Sequence, residues 1–314
     1  MKDIRIVFMG TPDFAVAILD RILKDGYTVV SVITAPDKPA GRGRKLSQSA
    51  VKKYALSNNL PVLQPTNLKN NLFIEELKSL HANLQIVVAF RMLPKVVWSL
   101  PEYGTFNLHA SLLPDYRGAA PIHWAIINGE KKTGVTTFFL DEKIDTGEMI
   151  LKKELTINED ETVGELHDRL MLLGAEVVSE TIQIIVKGRV LTTQQPSSET
   201  KTAPKLHSEN TRIDWDASLE DIYNHIRGLN PFPAAWTEIL NGDEVINAKI
   251  YGIRKKTTSH DFPLKSIVIT KKEIKVAVKE GFIYLDEIKL SGKKKLSAQN
   301  LLNGFSFHSE AKMR

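Results

Sequence analysis

The sequence predicts an α/β chain in two parts: an N-terminal doubly wound, Rossmann-like, mostly parallel sheet, then a small C-terminal β-barrel of OB-like type. Three observations carry this. Short apolar runs alternate with helical patterns through the first part, as strands joined by crossover helices do. One long amphipathic pattern, 162–186, closes that part. Beyond a Thr-, Gln-, Ser- and Pro-containing stretch at 191–204, several short strand patterns crowd together, which suits a small barrel.

Ile4–Phe8 reads as a buried strand. Asp13–Lys24 follows as a helix, with Phe14, Ile18, Leu19, Ile22 and Leu23 at helical spacing and Gly26 placed to end it. Tyr27–Thr34 is β-branched and reads as the second strand; Ser49–Ser57 and Leu72–Leu80 read as helices. Leu84–Ala89, Gly104–Leu108 and Gly134–Leu140 are further strands, and Pro121 is placed to open a helix over Pro121–Asn128. Thr162–Val186 carries Leu166, Leu170, Leu173, Val177 and Ile184 on one side. The unperiodic stretch that follows gives the boundaries: a first domain over 1–189, a linker over 190–207 and a second domain over 208–314. In the second, Leu219–Arg227 is a helix. Ala235–Leu240, Val245–Ile253, Ser266–Thr270, Glu273–Val278 and Gly281–Leu290 are strands.

Composition narrows the function classes. With 42% hydrophobic and 25% charged residues the 314-residue chain is ordinary for a globular protein. No stretch approaches the ~20 apolar residues that cross a bilayer, and Met1–Phe8 has charges within its apolar run, so neither a membrane segment nor a cleaved leader is expected. The absence of cysteine excludes disulfides, thiolate metal sites and cysteine nucleophiles, and fits a reducing, cytoplasmic setting. The histidines outside Asn107–Pro114 show no ligand spacing such as His-Glu-x-x-His, so no metal is expected. Nothing demands more than a monomer. Net charge is +5, and residues 207–314 hold 17 Lys and Arg against 14 Asp and Glu. Any nucleic-acid surface must therefore be a local patch.

In a doubly wound sheet, ligands sit beyond the carboxyl ends of the strands. Asn107-Leu108-His109-Ala110-Ser111-Leu112-Leu113-Pro114 lies there. Period-two geometry puts Asn107 and His109 on one face. An amide donor beside an imidazole suits a carbonyl that becomes an oxyanion, and the imidazole can also move a proton. The same pair would equally serve as a polar strand end. Asp145, in Asp145-Thr146-Gly147, could orient a histidine and hold its protonated form, or could simply make a turn. Arg117-Gly118-Ala119-Ala120-Pro121-Ile122 follows the histidine with small residues that let backbone approach a ligand, as a plain connecting loop also does. Asp37-Lys38-Pro39-Ala40-Gly41-Arg42-Gly43-Arg44-Lys45 is a basic loop. Its glycine spacing makes neither a phosphate-cradling loop nor a dinucleotide fingerprint. It could grip nucleic-acid phosphates or be a solvated surface loop.

Taken together, these residues resemble one family, the methionyl-tRNA formyltransferases. The resemblance rests on Phe8-Met9-Gly10-Thr11-Pro12-Asp13-Phe14-Ala15, on the basic loop from Pro36 to Gly43, on Asn107–Pro114 with Arg117–Ile122, and on Asp145-Thr146-Gly147. Ala203-Pro204-Lys205-Leu206, Arg212-Ile213-Asp214-Trp215 and Asn230–Ala234 are similar to the junction into the family's C-terminal domain. The resemblance implies transfer of the formyl group of 10-formyltetrahydrofolate to the α-amine of methionyl initiator tRNA, without a metal. It implies Asn107, His109 and Asp145 as catalytic residues. It implies Ser111, Leu112, Leu113, Pro114, Phe90, Arg91 and Met92 around the folate, and Arg42, Arg44, Lys45 and Lys205 on the tRNA. The Asn-x-His…Asp set is shared with folate-dependent formyltransferases of small amines, either a purine precursor or an amino sugar, and this remains the alternative. One segment departs from the family pattern: Ala-Tyr-Gly-x-x-Leu-Pro is here Ala89-Phe90-Arg91-Met92-Leu93-Pro94, one residue shorter, with Arg91 near the glycine position.

Overall fold

A computed structural model describes residues 3–40, 45–196 and 201–314. The chain packs as two compact units. The first comprises Met1–Gly118, Thr133–Thr156 and His167–Thr202, and the second Ala119–Lys132, Ile157–Leu166 and Ala203–Arg314.

The first unit is built from β1 (Arg5–Gly10), α1 (Asp13–Lys24), β2 (Thr28–Ile33), α2 (Ala50–Ser57), β3 (Val62–Leu63), α3 (Asn71–Ser79), β4 (Leu84–Val88), β5 (Thr105–His109), β6 (Lys132–Phe139), β7 (Met149–Thr156) and most of α4 (Val163–Val186). Its sheet runs β7-β6-β5-β4-β1-β2-β3. β1 and β4 are apolar along almost their whole length and almost wholly buried, as strands covered on both faces must be. β1 pairs in parallel with β2 and β4, and β4 in parallel with β5. α1 buries Phe14, Ala15, Ile18, Leu19 and Ile22. α3 buries Phe73, Ile74 and Leu77, which join Val7, Met9, Ile33 and Val87 in one core. Ser49 caps α2 by accepting from Lys52 N at 3.0 Å, and Asn70 caps α3 by accepting from Leu72 N at 2.9 Å.

The sheet is parallel from β3 to β5, and β6 runs antiparallel to β5. From β1 the chain builds outward to β2 and β3, then returns to lay β4 and β5 on the other side of β1. That reversal of strand order opens a crevice at the carboxyl ends of β1 and β4, with the end of β5 beside it.

The second unit holds α5 (Leu219–Arg227), then β8 (Ala235–Asn241), β9 (Glu244–Ile250), β10 (Ile253–Thr257), β11 (Ile267–Ile269), β12 (Ile274–Val278), β13 (Gly281–Leu285), β14 (Glu287–Leu290), β15 (Leu296–Ser297), α6 (Ala298–Leu302) and β16 (Lys312–Met313). They form two antiparallel sheets, β15-β14-β9-β8-β16 and β10-β13-β12-β11. The stretches expected as single strands at 245–253 and 281–290 are each two strands with a bend. Asp286 N and Glu287 N both donate to Gly252 O, at 2.8 and 3.1 Å, so the two bends lock together and carry the chain from one sheet to the other. Opposite them β16 pairs with β8, while Ile267 N donates to Ala311 O and Met313 N to Lys265 O, each at 2.9 Å. The result is a barrel around Trp215, Ile222, Ile226, Ile239, Ile250, Val276 and Ile283. Trp215 is 2% exposed and satisfies its indole by donating to Thr237 Oγ1 at 2.8 Å.

Candidate active site

β5 lies between β4 and β6, with Asn107 opposite Val87 on one side and Phe138 on the other, and His109 opposite Thr136. Alternation along the strand places Asn107 and His109 on one face and Leu108 on the other. A methyl of Leu108 packs so close to Gly174 of α4 that an added Cβ there would sit 2.8 Å away. Asn107 and His109 therefore face away from α4.

His109 is 6% exposed. Its Nε2 lies 2.8 Å from Tyr116 O. A carbonyl only accepts, so Nε2 carries a proton and Nδ1 is the nitrogen left for chemistry. Nδ1 lies 3.9 Å from Asp145 Oδ2, an ion-pair distance beyond hydrogen-bond range. The same carboxylate oxygen accepts from Gly118 N at 3.0 Å. Asp145 and Tyr116 hold left-handed backbones, with φ of 56° and 61°, a conformation uncommon for residues other than glycine. The structure thus brings Asp145 to His109, which no sequence spacing could do. Gly147 is required here: a Cβ would lie 1.7 Å from Phe139 O.

Ser111, Leu112, Leu113 and Pro114 form a tight turn after β5. Ser111 Oγ donates to Asp115 O at 2.6 Å, and Thr136 Oγ1 donates to Ser111 O at 2.7 Å while accepting from Leu113 N at 3.2 Å. Ser111 and Leu113 are fully buried; Leu112 and Pro114 are half-buried. After β4, Phe90 is half-buried and Met92 is 66% exposed. The Arg91 guanidinium donates to Thr66 O at 2.9 Å and to Pro65 O, and lies 5.6 Å from the centre of the Phe90 ring. Burial lowers its pKa. Arg91 thus pins the loop after β4 to the 65–66 segment.

Arg42 and Arg44 lie outside the described residues. Lys45 opens a short strand, Lys45–Ser47, paired with Lys38–Ala40. The base of this basic loop is braced: Lys52 Nζ donates to Asp37 Oδ2 at 2.6 Å and Gln64 Oε1 at 2.7 Å, and Gln64 Nε2 donates to Asp37 Oδ1 at 2.8 Å. Lys205, in the second unit, is exposed. Among the described residues no group of three or more His, Cys, Asp and Glu could hold a metal, and no helix is long and apolar enough to cross a membrane. The sequence did not announce the carbonyl of Tyr116 or the amide of Gly118, because backbone partners have no residue signature. The small residues after His109 were the one hint.

The formyl transferase family matches residues 4–182, and the formyl transferase C-terminal domain matches residues 205–306. The methionyl-tRNA formyltransferase of Flavobacterium johnsoniae is 58% identical over 314 residues, spanning the whole of both chains. That of Flavobacterium psychrophilum is 59% identical over 309 residues, 98% of each chain. The N-formyltransferase of Helicobacter canadensis, solved with folinic acid and dTDP-3-aminofucose, superposes with a TM-score of 0.66 at 21% identity, over 93% of this chain and all of its own.

Proposed function

The chain belongs to the methionyl-tRNA formyltransferases, and from that premise we propose that it transfers the formyl group of 10-formyltetrahydrofolate to the α-amine of methionyl initiator tRNA, in support of translation initiation. The observation that carries this reading is full-length similarity at 58% identity. The enclosed His109–Asp145 pair supports it. The reading extends to a cytoplasmic, monomeric enzyme with residues 1–189 as catalytic domain, 190–207 as linker and 208–314 as tRNA-binding domain.

The free amine of the methionyl group attacks the formyl carbon, a new C–N bond forms, and the C–N10 bond of the folate breaks. Asn107 and His109 face the formyl oxygen as it becomes negative, and each such donor supplies ~3 kcal/mol of barrier lowering. Because Nε2 already donates to Tyr116, His109 can donate to that oxygen only from Nδ1, and hence only as an imidazolium. Asp145, 3.9 Å from Nδ1, supplies the compensating charge. As the C–N10 bond breaks, the imidazolium gives its Nδ1 proton to the departing folate nitrogen, and the Nδ1 lone pair so freed takes the proton lost by the amine. The turn Ser111–Pro114 and the loop Phe90–Met92 wall the folate. Ser111 and Leu113 hold the shape from beneath, while Leu112, Pro114 and Phe90 offer surface. Arg42, Arg44, Lys45 and Lys205 engage tRNA phosphates. Arg42→Ala would then weaken tRNA use in a salt-dependent way.

The test is formyl transfer to methionyl initiator tRNA, with methionyl elongator tRNA, free methionine and amino sugars as competing acceptors. Initiator-selective product is expected, and His109→Ala or Asp145→Ala should lose most of kcat while still binding tRNA. Turnover only on a small amine would overturn the reading.

A further inference from the structure

Gln195 lies in the Thr192-Thr193-Gln194-Gln195 stretch, where the sequence shows only a linker. Its Nε2 donates to Asp145 O at 2.9 Å and to Gly147 O at 2.8 Å. Its Oε1 accepts from Arg117 Nε at 3.1 Å and Nη2 at 2.6 Å. These four bonds use both donors and both acceptor positions of the amide. They also fix which way the amide points, since a guanidinium only donates and a carbonyl only accepts. The stretch is docked by its backbone as well. Met149 N donates to Thr193 O and Thr193 N to Met149 O, each at 2.9 Å.

Arg117 stands between the two residues that touch the catalytic pair. Tyr116 O holds His109 Nε2, and Gly118 N holds Asp145 Oδ2. Gln195 therefore grips both sides of the His109–Asp145 contact: the Asp145 loop through its NH2 and the 116–118 loop through its carbonyl. We propose that Gln195 is the positioning residue that sets the Asp145 carboxylate against His109 Nδ1, holding Asp145 in its left-handed conformation. This rests on the reading of Asp145 as catalytic.

The test measures formyl transfer to methionyl initiator tRNA under single-turnover conditions, so that slow variants register. Gln195→Ala should lower the rate by about 10–100-fold, with the KM for tRNA and for folate nearly unchanged and the thermal midpoint preserved. Gln195→Glu should be no better, because it keeps an acceptor for Arg117 but turns a carboxylate on two carbonyl oxygens. In an Asp145→Ala background, Gln195→Ala should add less than about a twofold loss, since a residue acting through Asp145 has nothing left to position. The same full loss in both backgrounds would mark a general structural role and overturn the inference. So would a Gln195→Ala enzyme at wild-type rate while Asp145→Ala is crippled. An Asp145→Ala enzyme at wild-type rate would remove the catalytic reading, and this inference with it.

Discussion

Replacing Gly147 with alanine tests whether the position of the Asp145 loop limits catalysis. The added Cβ would stand 1.7 Å from Phe139 O and 2.9 Å from Phe139 C, whereas ordinary contact begins near 3.4 Å. The neighbour is strand backbone, paired with Phe106 of β5, and not a side chain that can swing aside, so the loop must give way by about 1.7 Å. If that displacement carries Asp145 directly away from His109, the 3.9 Å separation grows to roughly 5.6 Å. With an effective dielectric of about 20, the lost attraction to an imidazolium is about 1.3 kcal/mol, or tenfold in rate. Misdirection of the imidazole adds to this, because a displacement of ~1 Å can cost ~100-fold. The expected result is a kcat lower by 10–100-fold, together with roughly 1–3 kcal/mol of lost stability from overpacking. The assay is steady-state formylation of methionyl initiator tRNA alongside urea denaturation. A kcat within about twofold of wild type would refute the reasoning, because it would mean that the loop either absorbs the methyl group or does not set the rate.

Three further outcomes follow from other parts of the molecule. Lys52→Met removes the cation that ties Asp37 and Gln64 together at the base of the basic loop; KM for tRNA should rise several-fold in steady-state assays while KM for folate stays put. Arg227 is 3% exposed and donates to Asn224 Oδ1 and Glu161 O, each at 2.8 Å; Arg227→Ala should destabilise the second unit by about 3 kcal/mol in urea unfolding, as expected for lost charged hydrogen bonds. Burial holds the pKa of His225 below its usual 6.5, partly offset by backbone carbonyls and Asp214. The unfolded chain therefore takes up a proton before the folded one does. Stability contributed by neutral His225 is complete above 6.5 and is lost as pH falls below it. In urea midpoints measured from about pH 8 down to about pH 5, His225→Gln should flatten the acid limb.

The outline of the fold was legible because burial leaves a periodic mark. α1 runs from Asp13 to Lys24 as its apolar spacing dictates, and Gly26, at φ 80°, follows its end. Strand direction leaves no such mark: Val135 and Phe138 read as a buried run whichever way β6 points. β7 escaped notice because its side chains alternate between half-buried and exposed, and Lys152, Lys153 and Glu154 made it look like loop. The bends at Gly252 and Asp286 were single interruptions within otherwise continuous strand patterns. At the site, Asn107 and His109 stood out as polar side chains at the end of an apolar strand. Asp145 could be singled out but not placed. Gln195 was invisible, since an amide flanked by threonine, glutamine and proline has nothing to distinguish it until the fold brings it under Asp145.

The seam that closes the barrel has a consequence for how the chain is made. Among the described residues, β11 and β8 are joined through residues 311–314, while every other strand of the barrel precedes residue 298. During synthesis the ribosome exposes both unpaired strand edges before it releases the segment that covers them. At ~5–20 residues per second, the nascent barrel passes seconds with those edges open. A chain lacking residues 311–314 would keep them open for good, and open strand edges are templates for pairing with other chains. Such a product should be insoluble rather than merely less active, even though residue 311 onward supplies nothing to the His109–Asp145 pair.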